Sequence, residues 1–218
     1  MKRLLTYGLI CLTLGVGMVA PAAADTIHES ATFVPGGSGG SLTQTIFQGS
    51  RFSLSQTVAV DHIGGHIQGL PLVSGNGLLF GAIVGLSSPT AFPTGTPFGL
   101  GEVLASTTFS VPIGASDLLT PLSVTLTPGD YAVIFGSGLF GATGDGFMVL
   151  ENTDIPGSSS YIRWSSNSNT WIESPSTGFR FVVTGTPLAA PVPEPGTMLL
   201  LGSGLVGLIG YRMKKARA

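Results

Sequence analysis

Three histidines, eleven carboxylates and two tryptophans are the side chains from which this 218-residue chain could build chemistry. His62 and His66 stand four apart around Gly64-Gly65, and His28 and Asp61 could join them. A metal site needs three or four ligands converging at about 2 Å. The glycine pair predicts instead a reversal or bulge that leaves the two histidines on neighbouring strand ends. In a strand, Asp61 and His62 point to opposite faces. Asp145, Glu151 and Asp154, with Asp130 elsewhere, read as a solvated turn face, with structural calcium, which takes about six to eight oxygens and usually several carboxylates in one loop, as the alternative. Glycoside hydrolysis needs two carboxylates about 5–10 Å apart in a cleft, and no spacing here demands that. The chain has no G-x-S-x-G, H-E-x-x-H or Walker loop, so nucleophilic, zinc and phosphoryl chemistry lack their usual frames. No metal, cofactor or enzymatic activity is expected.

The best binding candidate is aromatic. Tyr161-Ile162-Arg163-Trp164, a polar turn over Ser165–Thr170, and Trp171-Ile172-Glu173 predict a hairpin that carries both tryptophans. Exposed Tyr161, Trp164 and Trp171 rings could stack on sugar rings while Arg163 reaches hydroxyls. The competing reading is that the tryptophans plug the core, where large aromatics bury most area.

The elements that would position these residues are strands. Between residues 25 and 191 the apolar positions alternate or run in short blocks broken by Gly, Pro, Ser and Thr, a β pattern. Thr57–His62 alternates, with Val58 and Val60 on one face. Leu78–Leu86 is a nine-residue apolar run, read as a central strand buried on both faces. Glu102–Val111 is Thr/Val-rich. Leu122–Leu126 alternates, and Pro128-Gly129-Asp130 predicts a hairpin into Tyr131–Phe135. Phe147–Leu150 and Phe179–Val183 complete the set with the tryptophan hairpin. About ten short strands without helices predict an all-β fold, a two-sheet antiparallel β-sandwich or jelly roll. It spans residues 25–185, with Pro35–Ser41 as a flexible loop and 186–191 as a Pro/Ala linker.

Composition narrows the function. Only 9% of residues are charged, against roughly 25% in an average soluble domain. Residues 25–191 hold Arg51, Arg163 and Arg180 against ten acids, net −7, with no lysine. No basic patch is available for nucleic acid. The remaining cations flank the two most apolar segments. Met1-Lys2-Arg3, an apolar run from Leu4 to Val19, and small residues Ala22 and Ala24 before a cut after Ala24 are the order of a secretory signal peptide, residues 1–24. Its helix precedes the sandwich, and Sec export machinery is the implied partner. Cys11 leaves with it, so the mature chain has no thiol.

At the other end Val192-Pro193-Glu194-Pro195 precedes an apolar stretch at 198–211 and a tail carrying Arg212, Lys214, Lys215 and Arg217. Fourteen helical residues reach roughly 21 Å, short of the ~30 Å hydrocarbon core. Snorkelling cations and Tyr211 make a short transmembrane helix feasible, with its basic end cytoplasmic. Two prolines force an extended segment where a protease could bind backbone.

Residues 192–218 resemble the PEP-CTERM sorting signal of Gram-negative bacteria, with the three parts in order at the C-terminus and a signal peptide in front. The resemblance implies that exosortase, a membrane transpeptidase, processes the tail. It also implies that an inner-membrane-anchored precursor passes to the cell surface or exopolysaccharide matrix. A permanent C-terminal anchor is the simpler alternative, and a carbohydrate-binding module using Trp164 and Trp171 is another. More loosely, Ile63-Gly64-Gly65, Phe80–Val84, Leu126–Tyr131 and Phe179–Val183 resemble β-sandwich domains of such precursors, which implies fold and no activity.

Overall fold

The computed structural model describes residues 24–69, 77–158 and 160–188. Among them are fourteen strands and no helix. The first seven are β1 (Asp25–Glu29), β2 (Ala31–Thr32), β3 (Gly39–Leu42), β4 (Ile46–Leu54), β5 (Val58–Gly69), β6 (Leu78–Leu86) and β7 (Val103–Ser110). The rest are β8 (Ser116–Leu126), β9 (Gly129–Gly136), β10 (Gly146–Val149), β11 (Thr153–Asp154), β12 (Tyr161–Ser165), β13 (Thr170–Glu173) and β14 (Phe181–Pro187). One sheet runs β1-β14-β5-β10-β3, with β8 on the opposite edge of β5. The other runs β13-β12-β4-β9-β6-β7, and β2 pairs with β11 alone. Every pairing is antiparallel, and the two larger sheets form the expected sandwich.

Side-chain alternation makes two cores. Leu79 and Ile83 of β6, Val133 and Phe135 of β9, and Ile63, Phe181 and Val183 of the facing sheet fill the space between the sheets. The intervening residues Phe80, Ala82, Val84, Ala132 and Ile134 form a second cluster with Phe47, Ile162, Trp164 and Trp171. That cluster lies on the outer face of its sheet, which is why β6 is apolar at nearly every position. The connection 87–102 covers it with Phe92 and Phe98.

Two expectations are corrected. Gly64-Gly65 does not turn the chain: β5 runs straight through it. A Cβ at Gly64 would strike the Leu118 carbonyl of β8, and one at Gly65 the Arg180 carbonyl beside β14. The glycines therefore allow strands to close on both edges of β5. The turn at Pro128-Gly129 is also not a hairpin, since β8 pairs with β5 while β9 pairs with β4 and β6. The chain changes sheets there, and Tyr131 Oη donates to the Thr127 carbonyl at 2.7 Å across the corner. A tyrosine corner serves the same purpose in other sandwiches.

β14 runs to Pro187, two residues into the stretch read as linker, and Pro187 pairs with Val58. β1 lies against β14, with Asp25 opposite Gly185. The first and last strands of the sandwich are therefore neighbours. Among the described residues no helix is long and apolar enough to cross a membrane. The signal helix and the short C-terminal span fall outside the described residues.

Candidate functional site

The tryptophan hairpin forms as expected, with Trp164 opposite Trp171 across β12 and β13. Its tryptophan rings lie on the outer face of the sheet, beneath the 87–102 connection. Trp164 is 6% and Trp171 7% exposed. Phe47 packs 4.8 Å from Trp164, and Phe98 6.0 Å from Trp171. Trp171 Nε1 donates to the Pro97 carbonyl at 2.7 Å, which ties the 87–102 connection down. Alternation puts Tyr161 on the opposite face, in the inter-sheet core, where its hydroxyl donates to Asp154 at 2.6 Å. Arg163 shares that parity. The four residues therefore do not share one surface, and the tryptophans present no open ring face to a sugar. The platform reading is corrected for this reason. Trp171→Phe should remove the donor to Pro97, cost about 1–2 kcal/mol and raise hydrogen exchange at Phe98 and Gly99. Unchanged exchange there would contradict this tethering.

The histidines are dispersed. His62 Nδ1 lies 3.1 Å from Asp61 Oδ1, across a bulge after Val60 that defeats the opposite-face expectation. The Thr184 hydroxyl donates to the same Asp61 oxygen at 2.6 Å and, with His62, holds this carboxyl below its ordinary value despite some desolvation. His66 is buried, its Nδ1 2.9 Å from Asn152 Oδ1 and its ring against Phe33. His28 Nε2 lies 3.0 Å from Ser50 Oγ. Both are buried, and the Phe52 ring stacks on His28 at 5.1 Å. No three His, Cys, Asp or Glu groups gather as metal ligands among the described residues. Three of the four candidate acids are engaged within the fold. Asp130 accepts from Ser53 at 2.6 Å, Glu151 from Ser38 at 2.9 Å, and Asp154 from Tyr161 and the Gly178 amide.

One feature escaped the sequence reading. Arg51, in the middle of β4, is buried: its side chain is 6% exposed. Its Nε donates to Ser160 Oγ at 2.9 Å, one terminal nitrogen to the Thr90 carbonyl at 2.7 Å and the other to Glu173 at 2.5 Å. The guanidinium also lies 5.3 Å from the Phe92 ring centre. Arg51 thus anchors the start of the 87–102 connection, and its flank opens into a cleft of about 370 Å³ beside β1. A lone arginine inside a strand of mixed polarity is the signal that could have marked it. Arg180 is the second anchored cation. It contacts Glu29 and Asp117 across three strands, and these carboxylates raise its pKa although burial opposes them.

Ala24 is exposed just ahead of β1. Ala22 lies outside the described residues, as do Val192, Pro193, Glu194, Pro195, Arg212, Lys214, Lys215 and Arg217. Residues 191–215 match the PEP-CTERM protein-sorting motif. No curated protein matches the chain. The motif supports an exported protein that exosortase sorts to the cell surface.

Proposed function

We propose that this chain is a non-enzymatic surface or matrix protein, exported through Sec behind residues 1–24 and released from an inner-membrane precursor when exosortase processes its tail. The match at 191–215 carries this reading. Pro193, Glu194 and Pro195 present an extended recognition segment, residues 198–211 seat in the bilayer, and the four terminal cations fix orientation. The described domain agrees with such an arrangement. Asp25, the first residue after the cut expected behind Ala24, starts a strand paired with β14, so both signals attach to adjacent strands at one sheet edge. With three arginines, no lysine and ten acids over 25–191, the mature domain suits a hydrated extracellular matrix rich in exopolysaccharide. The non-enzymatic reading rests on how the polar groups are engaged. Ser50 and His28 touch, but Ser50 has no exposed surface, so a substrate cannot reach its hydroxyl.

Glu194→Gln tests this assignment. It should slow tail processing several-fold and accumulate precursor in the membrane fraction, while the unfolding midpoint of the domain stays unchanged. Processing at the wild-type rate would remove Glu194 from the recognition segment.

A further inference from the structure

The cleft beside Arg51 has the makings of a ligand site that neither the sorting motif nor the tryptophan hairpin explains. It lies between β1, β4, the Pro89 turn and the turn around Gly157. Its volume of about 370 Å³ falls within the roughly 300–1,000 Å³ usual for small-molecule sites. Its wall is two-sided in chemistry. Ile27 and Pro89 contribute apolar surface, the stacked rings of His28 and Phe52 close its floor, and Arg51, Ser53, Ser158 and Ser160 contribute hydrogen-bonding groups. A pyranose ring has the same division, with C–H bonds on its faces and hydroxyls around its rim.

Arg51 and Ser53 are fixed in advance. Arg51 carries five N–H donors, of which three are engaged by Ser160, Thr90 and Glu173. Those three bonds lock the guanidinium and leave donors on both terminal nitrogens. Ser53 gives its proton to Asp130, so its oxygen is turned to accept. The Ser158 hydroxyl rotates freely to donate or accept. Binding to groups already held in place avoids the entropy of ordering them. Charge also discriminates. Glu173 sits 2.5 Å from Arg51, and Asp130 lies next to Ser53. One cation thus stands against two carboxylates, and the site does not favour phosphate or other small anions.

We propose that this cleft binds one hexose ring of a saccharide, its apolar face on Ile27 and Pro89 and its hydroxyls on Arg51, Ser53, Ser158 and Ser160. The proposal goes beyond the sorting reading and does not rest on it, because it concerns the purified chain whatever its route to the surface.

Saturation-transfer NMR on the full-length chain in micelles of a sugar-free detergent tests it. Glucose, galactose and mannose are the probes, with glycerol and inorganic phosphate as competitors. At least one hexose should receive saturation, and neither competitor should displace it at equal concentration. Ser53→Tyr places an aromatic ring in the cleft from an exposed strand position. It should weaken binding at least about tenfold and leave the unfolding midpoint unchanged. The proposal is overturned if no hexose binds or if Ser53→Tyr binds equally well. It is also overturned if glycerol competes equally or if phosphate displaces the sugar, since the latter would mark an anion site.

Discussion

Phe181→Ala should cost the domain about 3–5 kcal/mol, the range for truncating a buried phenylalanine. Phe181 has no exposed surface, and its ring stacks on Phe135 at 5.8 Å with Tyr161 and Phe179 at 6.2 and 6.3 Å. These rings come from both sheets, so the cavity would open where the layers meet and could not close by shifting one loop. The strand itself adds to the effect. β14 lies between β1 and β5, and it is the last strand before the sorting segment. The sandwich cannot complete itself until this strand has been exported. Typical domains have only about 5–15 kcal/mol in total, so the variant should reach the surface at much reduced levels although its tail is intact. Guanidinium unfolding of the full-length variant checks the energy, and surface yield checks the consequence. A loss below about 1 kcal/mol would mean that the inter-sheet packing described here is wrong.

Acid should weaken the domain through His28 before most carboxylates respond. Burial holds the His28 pKa down to about 4, from an ordinary 6.5. The unfolded chain therefore takes the proton first. The contribution of the neutral ring is complete above about pH 6.5 and is lost as pH falls toward about 4. It amounts to about 3 kcal/mol at about 1.36 kcal/mol per pH unit. The carboxylates of Asp61 and Glu102 act later. Burial would raise Glu102, but hydrogen bonds from Thr94 and the Gly99 amide outweigh it and hold this group below its ordinary value. Its contribution, like that of Asp61, is present above the ordinary carboxylate value and is lost as pH falls through the depressed one. Unfolding at pH 7.5 and 4.5 should show the decline in the wild type and a flatter profile in His28→Gln, which can still hydrogen-bond Ser50. Equal slopes in the two proteins would show that His28 is not held neutral by burial.

The fold was legible where strands are apolar on one or both faces. Leu78–Leu86 reads as a buried strand and is β6, and the tryptophan hairpin has its predicted pairing. β4 was not legible, although it lies at the centre of its sheet. Its sequence IFQGSRFSL places Gln48, Ser50 and Arg51 in buried positions. Two partners of Arg51, Ser160 and Glu173, are more than a hundred residues away, and no local pattern announces them. The Pro128-Gly129 turn looked like a hairpin because turn chemistry is local, whereas the choice of sheet for each flanking strand is not. The same limit governed the tryptophans. Sequence placed them on one hairpin, but the 87–102 connection that covers them lies seventy residues upstream. The sorting motif at 191–215 was legible because a linear order of prolines, apolar residues and cations marks it in the sequence.

Intact-mass measurement of the protein from membrane, surface and medium fractions of its native host tests the central claim most directly. The account predicts a surface or medium species that has lost residues 1–24 and the tail following Pro195. A membrane-bound species that still carries residues 196–218 as its final form would contradict it, and the tail would then be a permanent anchor.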